Sequence, residues 1–398
     1  MNIGLFTDTF FPQINGVATS VQILEKELSA LGHNVYIFTT TDPKAAPRAN
    51  VFRMPSLRLA FLPTHRVGLL YPPKVLFKIR KLNLDIVHTH SEFPLGIFGK
   101  VVSEFLKIPL IHTYHTMWED YVHYVARGHL ITPKMARGFS RLFCNRARVV
   151  VAPTEKARQC LISYGVERAI RIIPTGIDFA PFSPSVYTPK DINDLRKSLG
   201  ILQNDKVILS LGRVAKEKSM DVIIKQLPDI QKKIPNVKII IVGDGPAREE
   251  LERLAQDLGV ANSVIFAGAK PWSEIGKYYQ IGDVFVSSST TETQGLTYCE
   301  AIAAHLPIAA KYDSSIADLI RHNETGYTFH DNDDLAGLIV EMLNNPDKTK
   351  AVVANALASI AHMSSQRFGE NIAKLYEEVV SAYPKPAAPR KIRLRLRR

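Results

Sequence analysis

Glu292 and Glu300 flank the segment TQGLTYC, which follows the apolar run VFVSSS. We expect that run to form a strand and the segment to begin a helix, where backbone N–H groups around Gly295 can bind an anion. A carboxylate beside an anion is favourable if it accepts hydrogen bonds from sugar hydroxyls. The alternative is that Glu292 only stabilises the start of the helix through the helix dipole. The pattern therefore indicates an anion site with sugar contacts.

Two cations follow another apolar run. Arg213 comes directly after LSLG, and Lys218 lies five residues further on, before a predicted helix. Guanidinium and ammonium groups at the end of a strand suit a diphosphate, and a solvated loop is the alternative. Gly16 lies between the first predicted strand and the first helix, where a glycine lets the backbone approach a phosphate. A plain turn is the alternative for Gly16.

His115 lies in TYHTMWEDYVHY, at the end of another predicted strand. It is followed by side chains that contact sugars or handle protons, namely Trp118, Glu119, Asp120 and Tyr121. We therefore predict that His115 and Asp120 take part in the chemistry, with a hydrogen-bonded structural histidine as the alternative. His88 and His90 are predicted to be structural, and we expect no metal site because nothing fixes a ligand geometry.

Apolar runs alternate with helical patterns, which predicts parallel sheets joined by crossover helices. The predicted strands include NIGLFTD, VYIFTT, DIVHTH, PLIHTYH, ARVVVAPT and RIIPTG, and later KVILSLGR, VKIIIVGDG, SVIFAG, VFVSSS and PIAAK. The predicted fold class is α/β, with two Rossmann-like, doubly wound domains facing a cleft. Ligands in such sheets bind at the carboxyl ends of the strands. We expect domains at residues 1–180 and 205–365, a linker at 181–204, a helix at 366–383 and a flexible tail at 384–398.

The net charge of +12 is concentrated in two segments without acidic residues. Residues 43–84 carry nine cations and residues 384–398 carry seven. The segment PPKVLFKIRKL predicts a short basic amphipathic helix that binds anionic lipid, with an ordinary surface helix as the alternative. The predicted membrane-binding residues are Arg66, Lys74, Lys78, Arg80 and Lys81. Nucleic acid is not expected as a partner, because no aromatic platform accompanies the tail.

Composition excludes several other classes of protein. No run approaches the roughly 18 apolar residues of a membrane-spanning helix. The start of the chain lacks the pattern of a signal peptide. Cys144, Cys160 and Cys299 are too few and too scattered for a disulfide framework or a zinc site. We therefore expect a protein of the reducing cytoplasm, bound peripherally to the inner face of the cell membrane.

These motifs, in this order, resemble those of the GT4 retaining glycosyltransferases, which have the GT-B fold. The resemblance covers roughly residues 1–380 and rests on a Gly-rich first loop, GR-x4-K, VGDGP and E-x7-E. The segments HTMWEDYVHYV, APTEKARQCL and IPTGID are similar to those of the diacylglycerol glucosyltransferases of Gram-positive bacteria and mollicutes.

The resemblance implies a role for each predicted residue. Gly16 would meet the donor diphosphate, which Arg213 and Lys218 would hold. Glu300 would bind the ribose, Glu292 the donor sugar, and His115 would hydrogen-bond that sugar. Asp244 and Gly245 would form a turn beside the nucleotide, and a backbone segment would line the phosphates. That segment comprises Thr293, Gln294, Gly295 and Leu296. Ser219 stands where the family usually has glycine.

The reaction implied is transfer of glucose from UDP-glucose to diacylglycerol with retention, by front-face attack. No prosthetic group is expected, and a metal is not expected to be essential. The helix at 366–383 would cross back to the first domain, as in the family. Three alternatives stay open: a GT4 enzyme with another acceptor (phosphatidylinositol, a polyprenyl lipid, a soluble sugar or a protein), a non-catalytic protein of this fold, and a basic nucleic-acid binder.

Overall fold

Parallel β-sheets form the centre of both halves of the chain. A computed structural model describes residues 1–13, 15–59, 62–68, 73–118 and 132–383. In these residues the first half contains a seven-stranded and a two-stranded sheet, and the second half a six-stranded sheet. Asp120 and the tail at 384–398 lie outside the described residues, as does the side chain of Lys74. No helix in the described ranges is long and apolar enough to cross a membrane.

The first half alternates strands with helices. Its strands are β1 (Asn2–Phe6), β2 (Asn34–Thr40), β3 (Val51–Met54), β4 (Ser56–Leu59), β5 (Leu62–Gly68), β6 (Ile86–Thr89), β7 (Leu110–Thr113), β8 (Val149–Ala152) and β9 (Ala169–Ile172). Its helices are α1 (Gly16–Ala30), α2 (Pro73–Arg80), α3 (Pro94–Leu106), α4 (Pro133–Cys144) and α5 (Glu155–Ser163). The parallel sheet has the order β3-β2-β1-β6-β7-β8-β9, while β4 and β5 pair antiparallel.

Residue types that favour the start of a helix stand at the N-termini of α3 and α4. Proline stands at the first position of α3 and α4, where its missing N–H costs nothing. Thr132 caps α4 by accepting a hydrogen bond from the backbone N–H of Met135. The helices α2 to α5 contribute buried residues to the core on one face of the sheet, and α1 lies on the other face.

The second half repeats this arrangement. Its strands are β10 (Lys206–Leu211), β11 (Val237–Val242), β12 (Val264–Gly268), β13 (Val284–Ser287), β14 (Ile308–Lys311) and β15 (Tyr327–Phe329), in the order β12-β11-β10-β13-β14-β15. Its helices are α6 (Pro189–Ser198), α7 (Met220–Lys233), α8 (Arg248–Asp257), α9 (Trp272–Gln280), α10 (Leu296–Ala303), α11 (Asp334–Asn344) and α12 (Pro346–Ile360). The runs KVILSL and VKIIIV are continuous and apolar because helices cover both faces of the sheet.

Two segments join the halves. The segment expected to be a linker contains α6, whose Ile192 and Leu195 pack against the core of the second half. The final helix, α13 (Ser365–Ser381), returns to the first half, where Phe368, Ile372 and Tyr376 enter the same core as α1. Gly369 is required at this crossing, since a Cβ there would lie 2.4 Å from the Cβ of Glu27.

Candidate functional site

A partly buried ion pair lies at the carboxyl edge of the second sheet. Glu292 follows β13, Lys218 precedes α7, and Lys218 Nζ lies 2.5 Å from Glu292 Oε1. Burial acts to raise the pKa of Glu292, but the charge and hydrogen bond of Lys218 outweigh it and the pKa is lowered. Glu292 is therefore ionised at neutral pH. Because an ammonium group has three N–H donors, Lys218 can hold Glu292 and a phosphate oxygen together.

Glu300 lies one helical turn inside α10 and is 9% exposed. Tyr279 donates a hydrogen bond of 2.8 Å to its Oε2. Burial raises the pKa of Glu300 to about 7, with the Tyr279 hydrogen bond acting in the opposite direction. A carboxyl group with this pKa changes its charge near neutral pH, so a partner that donates hydrogen bonds to the carboxylate will favour its ionised form.

The loops after β10 and β11 contact each other through their backbones. Val214 N donates to Asp244 O at 3.1 Å, and a Cβ at Gly243 would lie 1.8 Å from the carbonyl oxygen of Gly212. Gly245 is equally close-packed, and the exposed side chain of Asp244 accepts from Gly245 N at 2.8 Å. Asp244 and Gly245 thus fix the loop that carries Arg213, and their contact with a nucleotide stays a prediction.

Arg213 and Ser219 complete this edge of the sheet. The Arg213 guanidinium lies 4.0 Å from the carboxylate of Glu217. Ser219 has φ +47°, in the left-handed region that glycine adopts most easily. The resemblance described above implies glycine at this position, and the backbone conformation gives a physical reason for that expectation. The serine keeps the turn at the cost of backbone strain.

The N-terminus of α10 faces the first half of the molecule. Gly295 caps this helix with φ +71°, and a Cβ there would lie 2.4 Å from the Tyr298 ring. A Cβ on Gly16, the first residue of α1, would lie 3.9 Å from Leu296. Two helix N-termini therefore meet at one place, and helix N-termini favour anions.

Hydrogen bonds between the halves hold this junction in place. The side chain of Gln294 accepts from Thr175 N at 2.9 Å and donates to Thr175 O at 2.8 Å. Thr154 Oγ1 donates to Thr293 O at 2.9 Å. The side chain of Gln294 is thus used between domains, which leaves only its backbone for the predicted phosphate contact. The sequence contains no pattern that indicates this bridge.

Histidines gather at the carboxyl edge of the first sheet. His115 Nε2 lies 3.0 Å from His90 Nδ1, and the two rings stack at 5.3 Å between centroids. His88 is bonded to Tyr376 of α13 at 2.6 Å and to Thr113 at 2.7 Å. His88 is therefore structural, as predicted from the sequence, whereas His90 directly contacts the candidate reactive histidine.

Burial keeps these rings neutral. It lowers the pKa of His115 to about 3, and the charge on His112 acts in the same direction. Burial also holds the pKa values of His88 and His90 well below the usual value. His115 therefore acts as a neutral hydrogen-bonding group at physiological pH.

Two carboxylates lie near the histidines. Asp8 accepts a hydrogen bond of 2.5 Å from Ser91, and burial raises its pKa to about 6. Glu92 accepts from Trp118 at 3.0 Å and lies 3.3 Å from His112 Nε2. Sequence reasoning assigned no role to either carboxylate, although Asp8 ends the predicted strand NIGLFTD and Glu92 lies two residues after the predicted strand DIVHTH. Among the described residues no group of His, Cys, Asp or Glu side chains is arranged to hold a metal ion.

The predicted membrane-binding residues differ in their surroundings. Arg66 donates two hydrogen bonds to Ser56, at 2.9 Å and 2.8 Å, which hold its guanidinium against β4. Lys78, Arg80 and Lys81 are exposed at the end of α2 and directly after it.

Comparison with known proteins identifies the family. The model described as Glycosyltransferase Family 4 matches residues 14–180, and the model described as Glycosyl transferases group 1 matches residues 191–358. The chain is 39% identical to the alpha-monoglucosyldiacylglycerol synthase of Streptococcus pneumoniae, over 96% of this chain and 86% of that protein. The chain belongs to glycosyltransferase family 4. It is also 34% identical to the synthase of the same name from Acholeplasma laidlawii, over 96% of this chain and 98% of that protein.

Solved structures of other glycosyltransferases share the fold. HepE of Anabaena, determined with UDP and glucose, has a TM-score of 0.77 at 20% identity and covers 95% of this chain and 100% of its own. Sucrose-phosphate synthase of Thermosynechococcus elongatus has a TM-score of 0.76 at 20% identity and covers 96% and 99%. The predictions of a family 4 glycosyltransferase and of two Rossmann-like domains in a GT-B arrangement are confirmed.

Proposed function

We propose that this family 4 glycosyltransferase transfers glucose from UDP-glucose to the free hydroxyl of 1,2-diacylglycerol at a membrane surface. The product is alpha-monoglucosyldiacylglycerol, formed with retention of configuration. The observation that carries the proposal is the 39% identity with the Streptococcus pneumoniae synthase, which extends over both domains. The site supports it, because cations, helix N-termini, a buried carboxyl group and neutral histidines lie along facing strand ends.

The donor diphosphate is assigned to the junction of the domains. Arg213, Lys218 and the N-terminus of α10 stabilise the negative charge that develops on the leaving phosphate, and the N-terminus of α1 at Gly16 adds to them. Preorganised donors aimed at developing charge supply much of the rate enhancement in many enzymes. Lys218 is already oriented by Glu292, so little reorganisation is needed when the phosphate binds.

The ribose is assigned to Glu300. Hydroxyl groups that donate hydrogen bonds to this carboxylate favour its charged form and lower its pKa from about 7. Binding of UDP at pH 6.5 then releases protons from the protein. Calorimetry in two buffers of different ionisation enthalpy measures this release, and UDP binding without it contradicts the ribose assignment.

The transfer step is assigned to the cleft between His115 and Glu292. The bond from the anomeric carbon to the diphosphate breaks and positive charge develops on the sugar. The acceptor oxygen bonds to that carbon from the same face, and its proton passes to the departing phosphate oxygen. A neutral His115 hydrogen-bonds the sugar without repelling the positive charge. Glu292, ionised and held by Lys218, orients a sugar hydroxyl.

The acceptor is assigned to the membrane side of the first domain. Lys78, Arg80 and Lys81 are exposed and no acidic residue lies between residues 43 and 84. Each cation close to an anionic leaflet contributes on the order of 1 kcal/mol to binding. We propose that this basic segment and the tail hold the enzyme on the inner face of the membrane.

The test is a transfer assay with labelled UDP-glucose and vesicles of phosphatidylglycerol, phosphatidylcholine and diacylglycerol. We expect a glucolipid whose anomeric coupling constant in NMR is that of the α form, and no product from vesicles without diacylglycerol. UDP-galactose, and vesicles with phosphatidylinositol in place of diacylglycerol, are run in parallel. A product formed only from another donor or acceptor overturns the substrate assignment, and a β product overturns retention.

A further inference from the structure

Helix α4 exposes a row of apolar side chains on its outer face. Met135, Phe139 and Leu142 recur at helical spacing and are 56%, 40% and 59% exposed. The opposite face is buried, with Ala136 and Phe143 nearly inaccessible and Cys144 in the core of the first domain. A monomeric protein seldom leaves such a contiguous row uncovered, so exposed apolar patches of this kind mark interaction surfaces.

Helix α3 continues this apolar surface. Its outer face carries Ile97, Val101 and Phe105, which are 47%, 40% and 39% exposed. The two helices are neighbours, because a Cβ on Gly96 of α3 would lie 3.1 Å from the Phe143 ring of α4. Phe77 of α2 is 59% exposed and its ring lies 5.8 Å from that of Phe105. Three helices on one face of the sheet thus expose apolar side chains together.

Cations accompany the apolar row on α4. Lys134, Arg137 and Arg141 are exposed on this helix. The sequence from residue 121 to 154 contains six cations and no Asp or Glu. This is a second acid-free segment within the first domain, apart from the one at 43–84. A helix with exposed large apolar side chains and cations on its polar face is typical of binding in the plane of a membrane interface.

We propose that the outer faces of α3 and α4 form a bilayer-docking surface, on which Met135, Phe139 and Leu142 insert among anionic lipids. The occupant is the lipid surface and not a second copy of the chain. In a symmetric dimer the same patch meets itself, so the cations of α4 would face one another. An anionic leaflet complements both the charge and the apolar row.

The surface leads towards the candidate site. Phe93, which precedes α3, is 41% exposed and its ring lies 4.7 Å from that of Trp118. Trp118 in turn donates a hydrogen bond to Glu92, beside the histidines at the strand ends. The contacts thus run from the apolar surface to Glu92, which lies 3.3 Å from His112 at the strand ends where His115 is also found. The inference rests on the proposed function for its acceptor, while the docking itself can be tested without turnover.

The test compares a triple variant, M135S/F139S/L142S, with a control, V186S/L202S/L258S. The three control residues are exposed apolar side chains outside the first domain, at 55%, 69% and 38%. Co-sedimentation uses vesicles of phosphatidylglycerol and phosphatidylcholine without diacylglycerol. We expect the α4 variant to bind at least tenfold more weakly, and the control to bind like the unmodified chain. Equal binding of the α4 variant and the unmodified chain overturns the proposal.

Further measurements distinguish failure of the docking surface from failure of the proposed function. Unfolding temperature and UDP affinity of the α4 variant should be unchanged, and if the triple variant fails to fold, Leu142→Ser alone is used, with an expected loss of about threefold. In detergent micelles containing diacylglycerol the α4 variant should retain turnover. Turnover in micelles with unaltered vesicle binding overturns only the docking surface, whereas absent turnover of the unmodified chain overturns the proposed function. If the unmodified chain forms dimers in the absence of lipid and the α4 variant is monomeric, a second copy of the chain covers the patch. That result overturns the choice of a lipid surface as the occupant.

Discussion

The two halves share one architecture but hold their ionisable groups differently. In the second half, charged groups are paired at the strand ends, and Lys218 and Glu292 form a partly buried ion pair. In the first half, three histidines lie at the strand ends and burial keeps all three neutral. The two parallel sheets share the order of their first six strands, and the first sheet has one further strand at its edge. The difference therefore comes from the side chains placed at equivalent edges of the two sheets.

The difference matches two chemical tasks. A diphosphate is a dianion that needs fixed positive charge and N–H donors, which the second half and the helix N-termini supply. A sugar that develops positive charge and a neutral lipid hydroxyl need uncharged hydrogen-bonding groups, which the first half supplies. The comparison therefore predicts that substitutions in the two halves will affect different steps.

The largest effect is expected for Lys218→Ala. The substitution removes the proposed phosphate donor and leaves the partly buried Glu292 carboxylate without its cation. We expect kcat for glucosyl transfer to fall by about 10²–10³, the loss typical for one donor to a developing anion. The control is Lys225→Ala, which removes an exposed lysine paired with Asp221 on the neighbouring helix. Equal rates for both variants would contradict the assignment of Lys218 to the diphosphate site.

Glu300→Gln should have two independent effects, one on the free energy of unfolding and one on donor binding. Burial raises the pKa of this carboxyl from 4.5 to about 7, so at pH 8 the folded protein holds an unfavourable charge. The free energy of unfolding of the variant should exceed that of the unmodified chain by up to about 3 kcal/mol at pH 8, and the excess should shrink at pH 5.

The same variant should bind UDP at least tenfold more weakly, because an amide is a poorer acceptor for ribose hydroxyls than a carboxylate. The control is Glu249→Gln, an exposed carboxyl on α8. Unaltered stability at both pH values would contradict the assigned burial of Glu300. Stability measured by denaturant titration and affinity measured by calorimetry report the two effects independently.

The histidines should make the free energy of unfolding depend on pH in the opposite direction from Glu300. His115 has a pKa of about 3 in the folded chain, against 6.5 for a histidine side chain in water. The unfolded chain therefore binds more protons between these values, and stability rises with pH across that window. His115→Gln should reduce the slope between pH 4 and 6 by up to one proton, or about 1.4 kcal/mol per pH unit. The exposed His362→Gln is the control, and an unchanged slope for His115→Gln would show that the ring is not buried as a neutral group.

The smallest effect is expected for Ser219→Gly. Ser219 has φ +47°, and releasing this strain should stabilise the chain by about 1 kcal/mol without changing turnover. Ser359→Gly is the matched control inside the regular helix α12, where glycine should destabilise by roughly 0.5 kcal/mol. Thermal unfolding measures both changes, and the same sign for both would contradict the strain at Ser219.

The sequence was sufficient for the features that depend on local pattern. Apolar runs predicted six of the seven strands of the first parallel sheet and five of the six strands of the second, but missed β3 and β15. Polar residues at or shortly after the ends of these runs predicted the strand-end positions of Arg213, Glu292 and His115. The fold class is confirmed by structures that share only 20% identity. Local pattern was enough here because a parallel sheet gathers its strand ends at one edge.

Features that depend on contacts distant in sequence were missed. The bond between Gln294 and Thr175 joins residues 119 positions apart, and no periodicity marks it. The backbone of Ser219 takes a glycine-like conformation that its residue type does not indicate. The segment assigned to a linker forms α6, whose apolar residues find a partner only in the folded second domain.

We propose that the second half binds the diphosphate and the first half binds the sugar. The dissociation constant of UDP, which lacks the sugar, tests this proposal most directly. Calorimetry compares the unmodified chain with Lys218→Ala and His115→Ala. We predict that Lys218→Ala weakens UDP binding at least tenfold, whereas His115→Ala changes it less than twofold and still loses glucosyl transfer. Equal loss of UDP affinity in both variants, or normal affinity in Lys218→Ala, would contradict the assignment of the diphosphate to the second half and of the sugar to the first.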